Sequence, residues 1–173
     1  PRLIINIGGI ANITALKPNT ARPVTGYDIG PGNTLLDQWI YRSKKQSLDK
    51  NGDWARSGDL STHLLEEFMS DSYLIQKAPK STGREHFNLD WIRQKISHCA
   101  DKVSDQDIQR TLTEFTALII SEAVEQDSSN LLPEVFFCGG GVYNRYLMER
   151  IKALLPNHSI NTTDNLGTPP QWV

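Results

Sequence analysis

The chain has 173 residues, 38% hydrophobic and 22% charged, with a formal net charge of −2. This is the composition of one ordinary globular domain with a real core, not of a disordered tail. The charge gives no electrostatic reason to expect nucleic acid or an acidic membrane as partner, and no apolar run approaches the roughly 20 residues of a membrane span.

Pro1 leads straight into strand-like sequence, without a signal-peptide pattern. The two cysteines, Cys99 and Cys138, are too few for a disulfide scaffold and lack metal-type spacing. Cys138, at a strand end, reads as a small core residue. A cytoplasmic protein with reduced thiols is the expectation.

Residues 3–7 form a nearly continuous apolar run that predicts a strand buried on both faces. Gly8-Gly9 is a tight hairpin signal, and residues 10–16 are the return strand. Lys17 to Pro23 is a polar loop, and residues 24–29 are a third strand ending in Asp28. A three-strand meander followed by a helix is the opening of a ribonuclease-H-like domain.

The helix starts at Thr34, with Leu35, Leu36, Trp39 and Ile40 on one face and Asn33 or Thr34 as its cap. Asp37 lies in its first turn, where negative charge is favoured, or points back into the glycine pocket. Trp54 to Met69 predicts one helix or two short ones broken near Gly58, and Asp90 to Ser97 a further short helix. Between them, Lys80 to Asn88 packs charged and polar residues into one loop anchored by Phe87 and Trp91. It is a solvated surface loop on the plainer reading, a substrate-side or subunit-interface loop on the other. His63, His98 and His158 read as surface residues; His86 has a suggestive setting but is not read as catalytic.

The longest helix begins at Ser104 or Asp105 and fades at Asp127-Ser128-Ser129-Asn130. Glu134 to Cys138 is a buried-type strand running into Gly139-Gly140-Gly141. A helix follows to Leu155, with its apolar residues at helical spacing from Asn144, and Ser159 to Thr162 can form a short edge strand. Alternation of strand and helix argues an α/β layer architecture.

Two glycine sites carry the chemistry. Gly30 and Gly32 let backbone approach a ligand, and the following helix aims its free N–H groups at the same place. Three glycines after a strand clear side chains from the edge where α/β sheets bind ligands, so Gly139, Gly140 and Gly141 can receive a flat ring or a ribose. A ligand-free strand-to-helix turn is the plainer reading, although one glycine would usually suffice for it. Neither a G-x-G-x-x-G nor a GK[ST] pattern is present. Asn6, Asn12 and Asn33 flank the first site and can donate to phosphate oxygens or hold turns. Asp28 can hold Mg²⁺, which takes one or two carboxylates plus phosphates, or make an Asx-turn.

Together Asn6-Ile-Gly-Gly-Ile-Ala-Asn12, Gly26-Tyr-Asp-Ile-Gly-Pro-Gly-Asn33 with Asp37 and Trp39, Ala78-Pro-Lys-Ser-Thr-Gly-Arg-Glu85 with Phe87-Asn88, and Cys138-Gly-Gly-Gly141 with Asn144 closely resemble anhydro-N-acetylmuramic acid kinase. The resemblance runs in order from residue 3 to about residue 167. It implies an actin-like/sugar-kinase fold with two ribonuclease-H-like lobes around a cleft. The implied reaction is ATP-dependent phosphorylation of 1,6-anhydro-N-acetylmuramic acid with hydrolytic opening of the anhydro bond, giving N-acetylmuramic acid 6-phosphate in cell-wall recycling.

Carried over, Gly8, Gly9 and Asn12 with Asp28, Gly30, Gly32 and Asn33 correspond to the second phosphate-binding region. Gly139, Gly140 and Gly141, with Asn144, correspond to the adenosine motif. The partners implied are ATP, Mg²⁺, the anhydro sugar and a missing N-terminal lobe, with a homodimer as a further option. The family's first phosphate loop and its water-activating aspartate would precede Pro1, and its closing helix would follow Gly167. The expectation is therefore a C-terminal lobe spanning residues 1–173, truncated at both ends and inactive alone. The alternatives are a non-catalytic nucleotide-binding or interaction module derived from the same lobe, and an enzyme of the same fold acting on another sugar or acyl group.

Overall fold

The structure is a computed structural model that describes residues 1–17, 21, 24–100, 102–128 and 132–172. Most of the Lys17–Pro23 loop and the Ser129-Asn130 linker lie outside these residues. Among the described residues, five strands form one mixed sheet in the order β3-β2-β1-β4-β5, with β1 Arg2–Ile7, β2 Ile10–Leu16, β3 Val24–Pro31, β4 Glu134–Cys138 and β5 Ile160–Thr162. The β1–β2–β3 meander is antiparallel, while β4 runs parallel to β1 and β5 parallel to β4. This is the mixed α/β sheet expected from the sequence. A register shift between Ala11 and Asn12 marks a bulge beside the hairpin.

The helices that accompany the sheet are α1 Thr34–Lys44, α2 Asp53–Arg56, α3 Thr62–Met69, α4 Leu89–Ser97, α5 Asp105–Ser128 and α6 Arg145–Leu154. Local signals set their ends. Ser61, Asn88 and Asn144 accept backbone N–H bonds at the starts of α3, α4 and α6, and the Ser104 hydroxyl accepts from Asp107 N at the start of α5. The break between α2 and α3 falls at Gly58, where a Cβ would lie 2.5 Å from the Gln106 carbonyl oxygen. Asp49, buried in the loop after α1, takes both its carboxylate oxygens to Trp54 N and Ala55 N, which starts α2.

One core joins the helices to a single face of the sheet. Leu3, Ile5, Ile7, Ile13, Val135 and Phe137 pack with Leu35, Phe68, Phe115, Ile119, Leu147 and Ile151. Burial on both faces of β1 does not hold. Leu3, Ile5 and Ile7 are buried, but Ile4 and Asn6 between them are only half-buried. The reason is layering: α1, α5 and α6 contribute to the same core as Leu3, Ile5 and Ile7, and β4 also meets the short 3-10 turns Thr163–Leu166 and Pro170–Trp172.

An aromatic cluster of Phe68, Tyr73, Phe87, Trp91 and Phe115 fills the core beneath the Lys80–Asn88 loop. His158 departs from its expected surface place. Its side chain is 1% exposed, with Nε2 3.0 Å from Ser128 Oγ, because the turn after α6 folds it under the end of α5. His63 and His98 are exposed, as expected.

Candidate functional site

Parallel pairing of β1 with β4 puts their C-terminal ends at the same sheet edge, and the β1–β2 hairpin and the end of β3 lie there too. The edge therefore gathers Gly8 and Gly9, Gly32 and Asn33, and Gly139 to Gly141. Backbone bonds knit the first two segments together. Gly32 N and Thr34 N donate to the Gly9 carbonyl at 2.9 and 3.0 Å, and Asn33 N donates to the Gly8 carbonyl at 2.8 Å. Asn33 occupies the cap position of α1 but its side chain makes no cap bond. It donates instead from Nδ2 to the Ile7 carbonyl at 3.1 Å.

The glycines divide by what surrounds them. A Cβ on Gly32 would strike the Gly8 carbonyl oxygen, and one on Gly141 would strike the Ile7 side chain. Gly139 has φ +81, and a Cβ there would lie 2.7 Å from the Ile7 carbonyl oxygen. Gly30 serves the core, with Ile119 Cδ1 2.9 Å from where its Cβ would stand. Gly140 is different. Its nearest neighbour would be Asn33 Nδ2 at 3.9 Å, and it is exposed. Packing explains why Gly139 and Gly141 are glycines; open space faces Gly140.

That space is a cleft of about 380 Å³ lined by Asn33, Leu36, Asp37, Leu48, Asp49, Lys50, Asn51, Gly140, Tyr143 and Asn144. Leu48 and Tyr143 are large apolar side chains left exposed at its rim. Asn144 Oδ1 is committed to capping α6 through Leu147 N at 3.0 Å. Asp37 lies in the first turn of α1, as read from the sequence, and also lines the cleft. Burial pushes its carboxyl up to about 6, against the nearby Arg84 guanidinium, which pulls it down.

The remaining sequence candidates do not line that cleft. Asn12 pairs across the strands with Asn6 and both are half-buried; Asn6 Oδ1 lies beside Gly139, as Asn33 Nδ2 lies beside Gly140. Asp28 Oδ2 accepts from Ser81 Oγ at 3.0 Å and Thr82 N at 3.1 Å, and Asp28 N donates to the Lys80 carbonyl at 3.1 Å. Its carboxylate thus clamps the Lys80–Asn88 loop to β3. Among the described residues no group of three His, Cys, Asp or Glu side chains could hold a metal ion. Cys138 is fully buried, and burial pushes its thiol up to about 11, as suits a core residue.

The loop delivers two features that the linear pattern did not assign. His86 Nε2 lies 3.1 Å from both oxygens of Asp71, whose carboxylate also accepts from Trp91 Nε1 at 2.8 Å and Tyr73 N at 2.9 Å. Burial alone would raise the Asp71 carboxyl; the Trp91, Tyr73 and His86 bonds outweigh it and hold it low. Arg84 reaches the glycine hairpin, with its Nη2 3.0 Å from where a Gly9 Cβ would be. Leu48, Lys50, Asn51 and Tyr143 were also missed, since nothing in a polar loop or a helix start marks them as neighbours of Gly140.

The anhydro-N-acetylmuramic acid kinase family model matches residues 1–173. The chain belongs to that family. Kinases of this name from Pseudomonas fluorescens (strain Pf0-1) and Shewanella sp. (strain W3-18-1) are 42% identical over 172 residues and 46% identical over 173 residues. Each comparison covers 99% of this chain and 46% or 45% of the relative, so the chain spans a little under half the length of these curated kinases. Among solved structures, the activator of the 2-hydroxyisocaproyl-CoA dehydratase from Clostridium difficile with bound ADPNP superposes with a TM-score of 0.59 at 18% identity, covering 98% of this chain and 55% of that one. That likeness is one of fold, and the actin-like ATPase fold is the one that the family resemblance implied.

Proposed function

We propose that this chain is the C-terminal lobe of a two-lobed sugar kinase that phosphorylates 1,6-anhydro-N-acetylmuramic acid from ATP and opens its anhydro bond with water, in cytoplasmic cell-wall recycling. The observation that carries the reading is the 42–46% identity to kinases of that name along the whole chain. The geometry gives the lobe its share of the work. Phosphoryl transfer depends on positioning and charge stabilisation more than on covalent help from the protein. The Gly140 cleft takes the adenosine, with the exposed Leu48 and Tyr143 as apolar walls for a flat ring. The Gly8–Gly9 hairpin and the Gly32–Asn33 turn stand at the same edge, where the phosphates would lie.

Mg²⁺ enters as the ion that accompanies the phosphates. It keeps several waters and asks for only one or two carboxylates. Asp28 is the residue of this lobe that would approach it, through the oxygen not engaged by Ser81 and Thr82. In this reading another lobe of the longer kinase would supply the first phosphate loop and the aspartate that activates water.

Thermal unfolding of the chain with and without Mg-ATP tests the nucleotide floor. An upward shift that grows with ATP concentration is expected. A cooperative transition indifferent to ATP would remove the floor from this lobe. Anhydro-sugar phosphorylation is expected only when the complete parent chain is assayed; turnover by the 173 residues alone would overturn the division of labour.

A further inference from the structure

The Lys80–Asn88 loop is held at both ends. Ser81 and Thr82 bond to Asp28, and Asn88 Nδ2 donates to the Arg84 and Glu85 carbonyls at 3.3 and 3.0 Å. Phe87 is fully buried beneath it, and His86 is seated on Asp71. Arg84 stands between these anchors and is exposed. Its Nη2, Nε and Cζ lie 3.0, 3.3 and 3.6 Å from the position a Gly9 Cβ would take, so the guanidinium lies on the hairpin itself. No salt bridge joins it to a carboxylate among the described residues, although Asp37 is near enough to feel its charge, whereas Arg2, Arg42, Arg56, Arg93, Arg110 and Arg150 are paired.

The hairpin backbone is asymmetric in the same place. The Gly8 and Gly9 carbonyls are occupied by Gly32, Asn33 and Thr34, whereas the Gly8 and Gly9 N–H groups donate to none of the turn and loop acceptors among the described residues. A fork of N–H donors with a fixed positive charge, beside backbone N–H groups, is suited to a tetrahedral oxyanion. Glycine at position 9 lets the guanidinium come this close.

We infer that Arg84 is the side-chain cation of this lobe that binds the phosphate chain of the nucleotide over the Gly8–Gly9 hairpin. The inference rests on the nucleotide reading of the lobe given above. It also explains the anchoring of the Lys80–Asn88 loop, because Asp28, Asn88 and Phe87 set the position of Arg84 before the ligand arrives. The anchored loop limits the backbone ordering that binding costs, and an arginine without an ion-pair partner has no salt bridge to break, both of which favour affinity.

The test is calorimetric titration of the chain and its Arg84→Gln and Arg84→Lys variants with Mg-ATP and with adenosine. A charge-assisted fork is worth about tenfold or more in affinity. Arg84→Gln should therefore weaken Mg-ATP at least about tenfold and leave adenosine and the unliganded melting temperature unchanged. Arg84→Lys should fall between the two, because it keeps the charge and loses the fork. Equal loss for Mg-ATP and adenosine, or no loss for either, overturns the assignment while the nucleotide floor stands. If Arg84→Gln spares Mg-ATP but weakens binding of the anhydro-muramic acid, the oxyanion is the sugar's carboxylate and the phosphate assignment is wrong. If the unaltered chain binds neither ATP nor adenosine, the nucleotide reading itself fails and takes this inference with it.

Discussion

Asn33 Nδ2 donates to the carbonyl of Ile7 at 3.1 Å, so the residue that opens α1 is tied to the last residue of β1. The bond fixes how far apart the two glycine segments stand, because Gly8 and Gly9 follow Ile7 directly and Gly32 precedes Asn33. Replacing Asn33 with alanine removes the donor and leaves the backbone bonds. A loss of about 1 kcal/mol is expected, the worth of one such bond, which is roughly 2–4 °C in Tm for a chain of this size. Mg-ATP affinity should fall as well, since the turn loses its tether; an unchanged Tm in calorimetry would show the tether to be idle.

The three glycines after β4 should respond differently to alanine. Gly139→Ala and Gly141→Ala bring a Cβ onto Asn6 and Ile7, and Gly139 adds a left-handed φ of +81. Each should cost about 1–3 kcal/mol from strain and overpacking. Gly140→Ala meets nothing closer than 3.9 Å and should fold normally. Its methyl group stands in the cleft, so nucleotide affinity should drop while chemical denaturation stays unchanged. Loss of stability in Gly140→Ala would mean that the space beside it is needed for folding.

Glu114 is 5% exposed on α5 and accepts from Arg110 Nη1 at 2.8 Å and from Arg150 Nε and Nη2 at 2.8 and 3.0 Å. Burial would raise its carboxyl, but the Arg150 and Arg110 bonds outweigh it and hold it below the usual range. A depressed carboxyl stabilises the fold above its ordinary pKa, and that contribution is lost as pH falls through the lower folded value. Glu114→Gln leaves two arginines facing a neutral amide between α5 and α6, at a cost of about 3–5 kcal/mol. Urea unfolding near pH 7 should show it, and the gap to the unaltered chain should narrow in acid.

Asp37 has the opposite sign. Its carboxyl is raised to about 6 by burial, with Arg84 opposing. A raised carboxyl penalises the folded state once it ionises, so stability should decline as pH climbs from about 4 through 6. The carboxyl is only half-buried, and solvent screening brings the penalty to about 1 kcal/mol. Asp37→Asn should therefore melt a few degrees higher than the unaltered chain at pH 7.5, with the difference vanishing near pH 4. Parallel pH–Tm curves for the two chains would count against this placement of the charge.

Much of the architecture was legible because its signals are local. Alternating and continuous apolar runs marked the strands, helical spacing and the cap at Ser104 marked the helices, and Gly8-Gly9 marked the hairpin, whereas the caps at Asn88 and Asn144 emerged only from the structure. The motifs also carried the family, since their order along the chain needs no coordinates. Long-range packing decided the rest. Ile4 is half-buried because the core-forming helices gather on the face of Leu3, Ile5 and Ile7, which an apolar run cannot show. His158 went under the end of α5, 30 residues away in sequence from its partner Ser128. The glycine runs look alike in sequence, yet only contacts from Ile7 and Asn6 separate the structural Gly139 and Gly141 from the open Gly140. Arg84 reached the distant Gly9 because Asp28 holds one end of its loop and Asn88 the other. Sequence determines which segments are strands, helices and turns; which side chains meet at the sheet edge depends on how those segments pack, because each meeting is set by contacts distant along the chain.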